Sequence, residues 1–553
     1  MSESSSSENN EASSSSSSSS LWFESLFRKT DTPIVTRSRS NCISNTTLPT
    51  GDNWSRFRQI FHLPAFISSA IMRDSFQSSL SNFRSMGQFL EKPKTEKHNV
   101  IGKNDDLRYG LGSMQGWRVD MEDAHAAVLK LDDNRWSHWS YFGIFDGHAG
   151  FRTAVKAAEK LHSRIISCLN GLVQENGNLK SSQYITSSQL DFNKFEMAIK
   201  DAYFKFDNEW REENRSNNPD DKSGSTAISC LIDLERIYFL NVGDSRAILV
   251  ATDGRILLAT KDHKPSRKNK SFLFYVYSLN LGDQIERQRI QEAGGTVLIQ
   301  RVNGSLAVSR ALGDFEYKNN PNRRPDQQLV SPEPEITYYT RQTKQDEQIA
   351  FIVLACDGIW DVITNEELAA YIIGRMRVTD DLCEIANSIL DMCLYKGSKD
   401  NMSLVIIAFK NAPTPTPEYK AKDEALDNEI RKKTIVTFFV VFHLLEIYNR
   451  NPNKTSLDAS TVWQQVMTSL NEQSSIRDAL PVGGGFIAKR SVFETTFDSM
   501  TKGTNNTTNS NSGALTNNDH DDEEDENDDE STPSNSSSGD IPSANSTITA
   551  LTQ

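Results

Sequence analysis

Four aspartates stand beside apolar stretches of strand length. Asp146, Asp244 and Asp357 each follow such a stretch, and Asp400 precedes one with a single residue between. An Asp-Gly pair taken alone is an ordinary turn. Strand ends of one sheet system converge, however, so the four carboxylates are expected to share a pocket. Clustered carboxylates repel one another unless a cation lies among them, and ligation by oxygen alone selects hard ions such as Mg²⁺ or Mn²⁺ over zinc.

A second acidic group lies close to an arginine in the sequence. Glu122 and Asp123 follow Arg118 within the segment Trp117–His125. The planar guanidinium of an arginine can bind two oxygens of a tetrahedral oxyanion at once. Hard cations together with such a guanidinium indicate phosphate as the substrate group.

The elements that must position these side chains are strands grouped together, with helices between the groups. Apolar runs rich in β-branched and aromatic residues predict strands at Ser140–Phe145, Arg236–Val242, Ala247–Val250, Thr296–Gln300, Ile349–Cys356 and Met402–Phe409. A helical period predicts helices at Ala154–Leu169, Phe192–Trp210 and Glu366–Met376, the last with Thr364 as its N-cap. This order favours sheet-on-sheet packing with helices outside over alternating βαβ units.

Changes in composition divide the chain into four parts. Residues 1–85 are Ser-rich, with 13 serines among the first twenty, and are expected to be disordered. A folded body covers 86–410 and ends at a Pro- and Thr-rich break. A charged helical segment is predicted over 411–500. The remaining residues, 501–553, surround an acidic block at 519–530 and are expected to be disordered.

The composition also excludes several classes of protein. Ten of the carboxylates lie in the acidic block, so the net charge of −14 leaves about −4 for the rest of the chain, which excludes a general nucleic-acid binder. The six cysteines form no Cys-x-x-Cys pair and are interpreted as reduced thiols of an intracellular protein, cytoplasmic and/or nuclear. The longest apolar run, Ile435–Leu445, has eleven residues, whereas a transmembrane helix needs about 20.

Seven segments, in order along the chain, resemble the metal-dependent type 2C serine/threonine protein phosphatases, most closely their animal alpha/beta branch. These segments are Leu107–Gly110 through Met121–His125, Phe145–Gly150, Gly224–Ala227, Val242–Arg246, Leu306–Asp314, Cys356–Asp361 and Lys399–Ser403. The resemblance implies an α+β fold of two antiparallel sheets packed face to face and flanked by helices. It further implies a monomer that acts on phosphoserine and phosphothreonine in proteins, with a two-metal site at one edge of the sheets.

The resemblance also implies which residues hold the cations. For two tightly bound Mg²⁺ or Mn²⁺ ions, the implied ligands are the bridging Asp146, the Gly147 carbonyl, Asp357, Asp400 and, largely through water, Glu122. A weaker third cation is expected on Asp244, Asp357 and Asp361.

Roles in the reaction follow from the same resemblance. A hydroxide held between the two cations would attack the phosphoryl group directly, with Arg118 binding the phosphate and His148 protonating the leaving oxygen. Asp123 is expected to orient water or His148. Arg310 and Asp314 are expected to anchor a loop.

The sequence departs from the family pattern in three places. The usual opening resembles Met86–Pro93 and is preceded here by 85 residues; a form starting at Met86 would expose Gly87, whose myristoylation would allow weak membrane association. Residues 267–282 read as an insertion, and 435–448 are more apolar than expected; each is either a genuine insertion or translated intron sequence. Two rival functions also remain: an inactive scaffold that binds phosphoproteins, and a hydrolase of small phosphoesters.

Overall fold

The computed structural model of the protein describes residues 89–175, 184–265, 281–341, 348–448 and 459–508. The predicted disordered extension at 1–85 and the acidic block at 519–530 lie outside these residues. The predicted insertion at 267–282 also lies outside them, apart from its last two residues, which begin a helix.

Two antiparallel sheets form the centre of the described structure. The strands are β1 (Lys94–Lys103), β2 (Leu107–Gly116), β3 (Ala124–Val128), β4 (Ser140–Phe145), β5 (Gly147–His148), β6 (Gly224–Ser225), β7 (Ala227–Ile232), β8 (Arg236–Val242), β9 (Arg246–Ala251), β10 (Ile256–Ala259), β11 (Val297–Leu298), β12 (Arg301–Val302), β13 (Leu312–Gly313), β14 (Glu335–Thr340), β15 (Ile349–Ala355) and β16 (Met402–Phe409). One sheet has the order β1-β2-β16-β15-β9-β10 and the other β14-β8-β7-β4-β3. A small sheet, β13-β6-β5, and the ribbon β11-β12 accompany them.

The two large sheets pack face to face over a shared apolar core. Phe142 and Ile144 from β4 lie in this core together with Ile352 from β15 and Ile407 from β16. Alternate residues of β16, such as Ile406, point instead into a second core on the outer face of the same sheet. Because both faces of this strand are covered, it reads in the sequence as an unbroken apolar run.

Helices cover the outer face of each sheet. The α-helices of the described residues are α1 (Arg152–Glu175), α2 (Phe192–Asn217), α3 (Leu281–Glu292), α4 (Asp357–Trp360), α5 (Asn365–Met376), α6 (Leu382–Tyr395), α7 (Pro417–Tyr448), α8 (Ala459–Asn471), α9 (Ser474–Ala479) and α10 (Arg490–Thr508). Residues of α1 and α2, such as Leu161 and Phe195, pack on the five-stranded sheet. Residues of α5 and α6, such as Ile372 and Ile389, pack on the six-stranded sheet. The predicted α+β sandwich flanked by helices is confirmed.

The C-terminal helices form their own apolar cluster, which includes Phe438, Trp463 and Phe493. A buried ammonium group, that of Lys489, lies 2.7 Å from a carboxylate oxygen of Asp423 and 2.6 Å from one of Asp427. The helix α10 continues to Thr508, eight residues past the boundary placed at 500. A helix that is anchored by packing can extend in this way into a polar sequence of weak intrinsic propensity.

The strands and helices predicted from the sequence are found, with one difference. The N-cap Thr364 accepts a hydrogen bond from the backbone N–H of Glu367 (3.2 Å), as its position before α5 predicted. The strand predicted at Thr296–Gln300 is wrong, because only two of its residues pair and Ile299 and Gln300 turn back with positive φ angles of 50° and 61°. Among the described residues, no helix is both long and apolar enough to cross a bilayer.

Candidate active site

The predicted acidic side chains meet at one end of the sandwich. Asp146 joins β4 to β5, Asp244 joins β8 to β9, and Asp357 begins α4 directly after β15. The register pairs the end of β15, at Ala355, with the start of β9 and with Leu404 near the start of β16. These strand ends therefore lie side by side, as the sequence predicted.

Asp146 and Asp357, at this end of the sandwich, resist ionisation. Burial raises the pKa of Asp146 well above its usual value, and the charges of Asp123, Asp357 and Asp400 raise it further. Burial also raises the pKa of Asp357, followed by the effects of Asp244 and Asp400. Such repulsion is relieved by a cation, and every side chain of the predicted ligand set offers oxygen only. The cluster therefore fits a hard cation.

Asp123 lies close to Asp146. Their carboxylate oxygens and the sulfur of Cys356 lie within 4.8 Å of one another. The Oδ2 of Asp123 accepts a hydrogen bond from the hydroxyl of Ser403 (2.7 Å), while its buried Oδ1 has no partner among the described residues. Burial raises the pKa of Asp123 to about 7, against the opposing effect of the Ser403 hydrogen bond. This orphaned oxygen is a further free donor for a cation or its water shell.

Cys356 belongs to the framework of the site. Burial raises the pKa of its thiol well above the usual value, and the charges of Asp123 and Asp146 raise it further. The neutral thiol donates to the carbonyl of Asn401 (3.5 Å), and its sulfur accepts from the backbone N–H of Ser403 (3.1 Å). These bonds join the end of β15 to the start of β16.

Arg118 lies at the rim of the cluster. Its Nη2 is 2.7 Å from Oδ2 of Asp400, its Nη1 is 3.9 Å from Oε2 of Glu122, and 37% of its side chain is exposed. Burial opposes the charge of the guanidinium, but Asp400 and Glu122 outweigh this effect and raise the pKa of Arg118. A permanently charged, half-exposed guanidinium beside the acidic cluster is placed to bind an oxyanion that enters from solvent.

A side chain missed as a functional residue, Asn401, fixes this rim. Its Oδ1 accepts from the backbone N–H of Glu122 (2.9 Å), and its Nδ2 donates to the carbonyls of Gln115 (2.9 Å) and Asp120 (3.0 Å). The segment that carries Arg118 and Glu122 is thus tied to the residue next to Asp400. The sequence signal that could have identified Asn401 is its place next to Asp400 in the segment Lys399–Ser403.

Gly147 permits the close approach of this segment. A Cβ atom at Gly147 would lie 2.2 Å from the backbone carbonyl oxygen of Glu122. On the other side, Oε1 of Glu122 accepts from the backbone N–H of Gly150 (2.7 Å). Any side chain at position 147 would therefore push Glu122 away from Asp146.

The residues predicted for a weaker third cation face an ammonium group. Nζ of Lys264 is 3.1 Å from Oδ2 of Asp244 and 4.0 Å from Oδ1 of Asp361, whose side chain is 68% exposed. Burial disfavours this ammonium, but Asp244, Asp357 and Asp361 together raise the pKa of Lys264. A cation at this position would have to compete with Lys264, which the sequence motifs did not suggest.

His148 is paired with Asp314. The imidazole Nε2 lies 2.7 Å from Oδ2 of Asp314, whose side chain is 5% exposed. Burial opposes protonation of the ring, but Asp314 outweighs it and raises the pKa of His148. Among the described residues Asp123 bonds to Ser403 and not to His148, so of its two predicted roles the orientation of water stays a prediction. Asp314, predicted to anchor a loop, also contacts His148. Arg310 does anchor a loop, through paired bonds to Glu286 (2.8 and 3.0 Å).

The small sheet β13-β6-β5 explains how His148 and Asp314 meet. His148 lies opposite Gly224 in the register of β5 and β6, and Gly313, the neighbour of Asp314, lies opposite Gly224 on the other side. A Cβ atom at Gly224 would lie 2.4 Å from Nε2 of His148 and 2.4 Å from Oδ2 of Asp314. The hydrogen bond between the two side chains therefore passes directly over this glycine.

Comparison with known proteins decides the family. The family model described as Protein phosphatase 2C matches residues 107–271 and 280–402, and the model of the protein serine/threonine phosphatase 2C C-terminal domain matches residues 403–498. The chain belongs to the protein phosphatase 2C family. The interruption of the first match, between 271 and 280, falls inside the segment predicted to be an insertion.

Curated relatives agree with this assignment to the protein phosphatase 2C family. The chain is 41% identical over 416 residues to Protein phosphatase 1B of Homo sapiens, covering 75% of this chain and 77% of the relative. It is 41% identical over 423 residues to Protein phosphatase 1A of Bos taurus, covering 76% of this chain and 97% of the relative. A solved phosphatase from a pathogenic strain of Toxoplasma gondii is 22% identical, with a TM-score of 0.44, over 58% of this chain and 98% of that one. The family models and the curated relatives confirm the predicted serine/threonine phosphatase class.

Replacing Gly224 by alanine is expected to lower kcat of this phosphatase on a phosphoserine peptide about 100-fold, because the added methyl group would displace His148 or Asp314 from their hydrogen bond. Gly171→Ala is the matched control, since a Cβ atom there meets nothing within 4 Å. Steady-state kinetics of both purified variants measure the effect. Equal kcat values for the two variants would contradict the pairing seen over Gly224.

The stability of the phosphatase without metal is expected to fall as the pH rises from 6 to 8. The carboxyl of Asp123 has a pKa of about 7 in the folded state, above its value in the unfolded chain. The folded state therefore loses stability as pH rises above the unfolded pKa, and the loss is complete above pH 7. A cation among the carboxylates removes this cost, so millimolar Mg²⁺ should raise Tm more at pH 8 than at pH 6. Thermal unfolding with and without chelator tests this, and an equal gain at both pH values would contradict it.

Proposed function

We propose that this phosphatase hydrolyses phosphoserine and phosphothreonine in proteins by direct attack of water, with Mg²⁺ or Mn²⁺ held by the acidic cluster. The ligands would be Asp146, the Gly147 carbonyl, Asp357, Asp400 and, through water, Glu122. The observation that carries the proposal is the meeting of buried, mutually repelling carboxylates beside a half-exposed arginine. When bound, the cations supply an activated water and positive charge.

The side chains of the protein carry out the other steps of the proposed reaction. Arg118 leaves Asp400 in part to bind two phosphoryl oxygens and to stabilise the charge that develops on them. The attacking water gives up one proton to solvent and forms a bond to phosphorus as the bond to the serine or threonine oxygen breaks. His148 transfers its proton to that leaving oxygen, and Asp314, which raises the pKa of His148, favours the protonated imidazole. Inorganic phosphate and a free hydroxyl group are the products.

Asp314 orients the imidazole of His148 by binding one side of the ring, while the opposite side of the ring acts on the substrate. Asp244, Asp357 and Asp361 are the proposed ligands of a weaker third cation, which would require the ammonium of Lys264 to move away from Asp244.

Release of phosphate from phosphopeptides and from small phosphoesters, with and without Mn²⁺, tests the proposed function. We expect Mn²⁺-dependent release from phosphoserine and phosphothreonine peptides. Faster turnover of small metabolite-like esters than of any peptide would instead favour a small-ester hydrolase. Binding of phosphopeptides without any release of phosphate would favour the inactive scaffold.

A further inference from the structure

A buried ion pair flanks the turn that carries Asp314. Asp207 of α2 and Lys318 have side chains that are only 7% and 2% exposed. The ammonium of Lys318 donates to both carboxylate oxygens of Asp207 (2.9 Å each) and to the carbonyl of Ala311 (2.8 Å), which uses all three of its protons. Oδ1 of Asp207 also accepts from the backbone N–H of Gly313 (2.8 Å).

These bonds reach the backbone on both sides of Asp314. Two of the hydrogen bonds fix the backbone before Asp314, at Ala311 and Gly313. Lys318, which donates one of them, lies four residues after Asp314. Asp314 itself has φ of 49° and ψ of 43°, and Gly313 has φ of 71°. Left-handed backbone at a residue with a side chain persists only where its surroundings hold it. The Asp207–Lys318 pair belongs to these surroundings, together with the hydrogen bond from the backbone N–H of Asp314 to the carbonyl of Ser223 (3.2 Å).

We infer that Asp207 and Lys318 are positioning residues for the phosphatase reaction: their ion pair holds the left-handed turn that presses Asp314 against His148. Neither residue is among the site residues predicted from the sequence, and neither contacts the acidic cluster through any bond seen in the described residues. Only the kinetic consequence of this inference rests on the proposed role of His148 as general acid. That the ion pair holds the turn of Asp314 does not depend on this role.

The structure separates this role from general support of the fold. If the turn relaxes, Asp314 withdraws and His148 loses its orientation, while Arg118 and the acidic cluster, which lie on other segments, stay in place. Proton donation to the leaving group should then suffer, and binding of phosphate should not. An ester whose leaving group needs no proton should be hydrolysed nearly as before.

The test uses the double variant Asp207→Asn/Lys318→Met in the full chain. Both charges are removed together, so no buried charge is left unpaired, and the asparagine oxygen can still accept from Gly313. The matched control is Asp427→Asn/Lys489→Met, which removes a lysine–aspartate pair (2.6 Å) in the C-terminal helices, with side chains 5% and 19% exposed, and leaves Asp423 paired with Arg375 (2.9 Å). His148→Gln serves as the reference for complete loss of the general acid.

Two readouts decide the inference. In ¹⁵N-histidine-labelled protein, the downfield imidazole N–H signal of His148, assigned by its absence in His148→Gln, should disappear in the Asp207/Lys318 variant and persist in the control. In kinetics, kcat on a phosphoserine peptide should fall about tenfold, with KM and turnover of 4-nitrophenyl phosphate within about twofold of wild type.

The outcomes distinguish the inference from the proposed function. Persistence of the His148 signal in the Asp207/Lys318 variant overturns the inference, as does an equal loss of kcat on both esters. If the wild-type chain releases no phosphate from any peptide, the proposed function fails, while the imidazole signal still decides whether the ion pair positions Asp314. If the double variant does not fold, Lys318→Gln alone, which keeps a donor toward Asp207 and Ala311, is measured in the same way, with the signal expected to weaken.

Discussion

Replacing Asp146 by asparagine is expected to reduce kcat on a phosphoserine peptide by about 1,000-fold or more, at any concentration of Mg²⁺ or Mn²⁺. Asp146 is the carboxylate on which the charges of Asp123, Asp357 and Asp400 converge, so it is the proposed bridge between two cations. An amide has the same shape but cannot neutralise two cations at once. Cation-assisted charge stabilisation contributes several kcal/mol to such reactions, and each 1.4 kcal/mol corresponds to a factor of about ten.

The control for this loss is Asp253→Asn, which removes the same charge from an exposed turn where Asp253 pairs with Arg255 (2.6 Å). It should retain wild-type activity. Thermal unfolding of the chelated proteins supplies a second comparison, because Asp146→Asn removes a buried charge that its neighbours repel. Its metal-free Tm should therefore equal or exceed that of wild type. Full activity of wild type in excess chelator would refute the metal-dependent mechanism.

Replacing His148 by glutamine is expected to lower kcat about 10²–10⁴-fold for phosphoserine peptides, whose alkoxide leaving group needs a proton. The loss for 4-nitrophenyl phosphate should be small, because its leaving group is stable as an anion. Measurement of kcat on both substrates with one enzyme preparation gives the ratio directly. Similar losses on the two substrates would show that His148 does something other than protonate the leaving group.

Arg118→Ala is the informative contrast to His148→Gln. The guanidinium contacts Asp400 and Glu122 at the half-exposed rim of the site, where a phosphate would enter. Its removal should raise KM on peptide and aryl substrates alike. If His148→Gln affects the two substrates differently and Arg118→Ala affects them equally, the two roles are assigned independently of each other.

Much of the fold can be predicted from local patterns of the sequence. The ranges Ser140–Phe145, Arg236–Val242 and Met402–Phe409 are found as strands with the predicted ends, because strands buried on both faces appear as continuous apolar runs bounded by polar residues. The prediction at Thr296–Gln300 failed for the opposite reason: the apolar run is short, and its last two residues adopt left-handed turn geometry.

The candidate site likewise has residues that local sequence patterns could predict and residues that they could not. Residues that lie at strand ends, such as Asp146 and Asp357, could be found because a strand end is a local feature and the motifs around it are contiguous. The partner of His148 could not be found in this way. Asp314 is 166 residues distant in the chain, and it meets His148 only because β13 and β5 flank the same two-residue strand, with a glycine between them.

Sequence patterns were enough to predict five of the sixteen strands of the described residues, three long helices, the family and the acidic residues proposed for the site. Each of these depends on residue types within a short window or on motifs that can be read in order. The tertiary structure alone decided that Asp314 rather than Asp123 pairs with His148, that Asn401 holds Glu122, and that Lys264 lies against Asp244. These contacts depend on sheet order and register, which arise from the packing of the whole core and leave no mark in any local stretch of sequence.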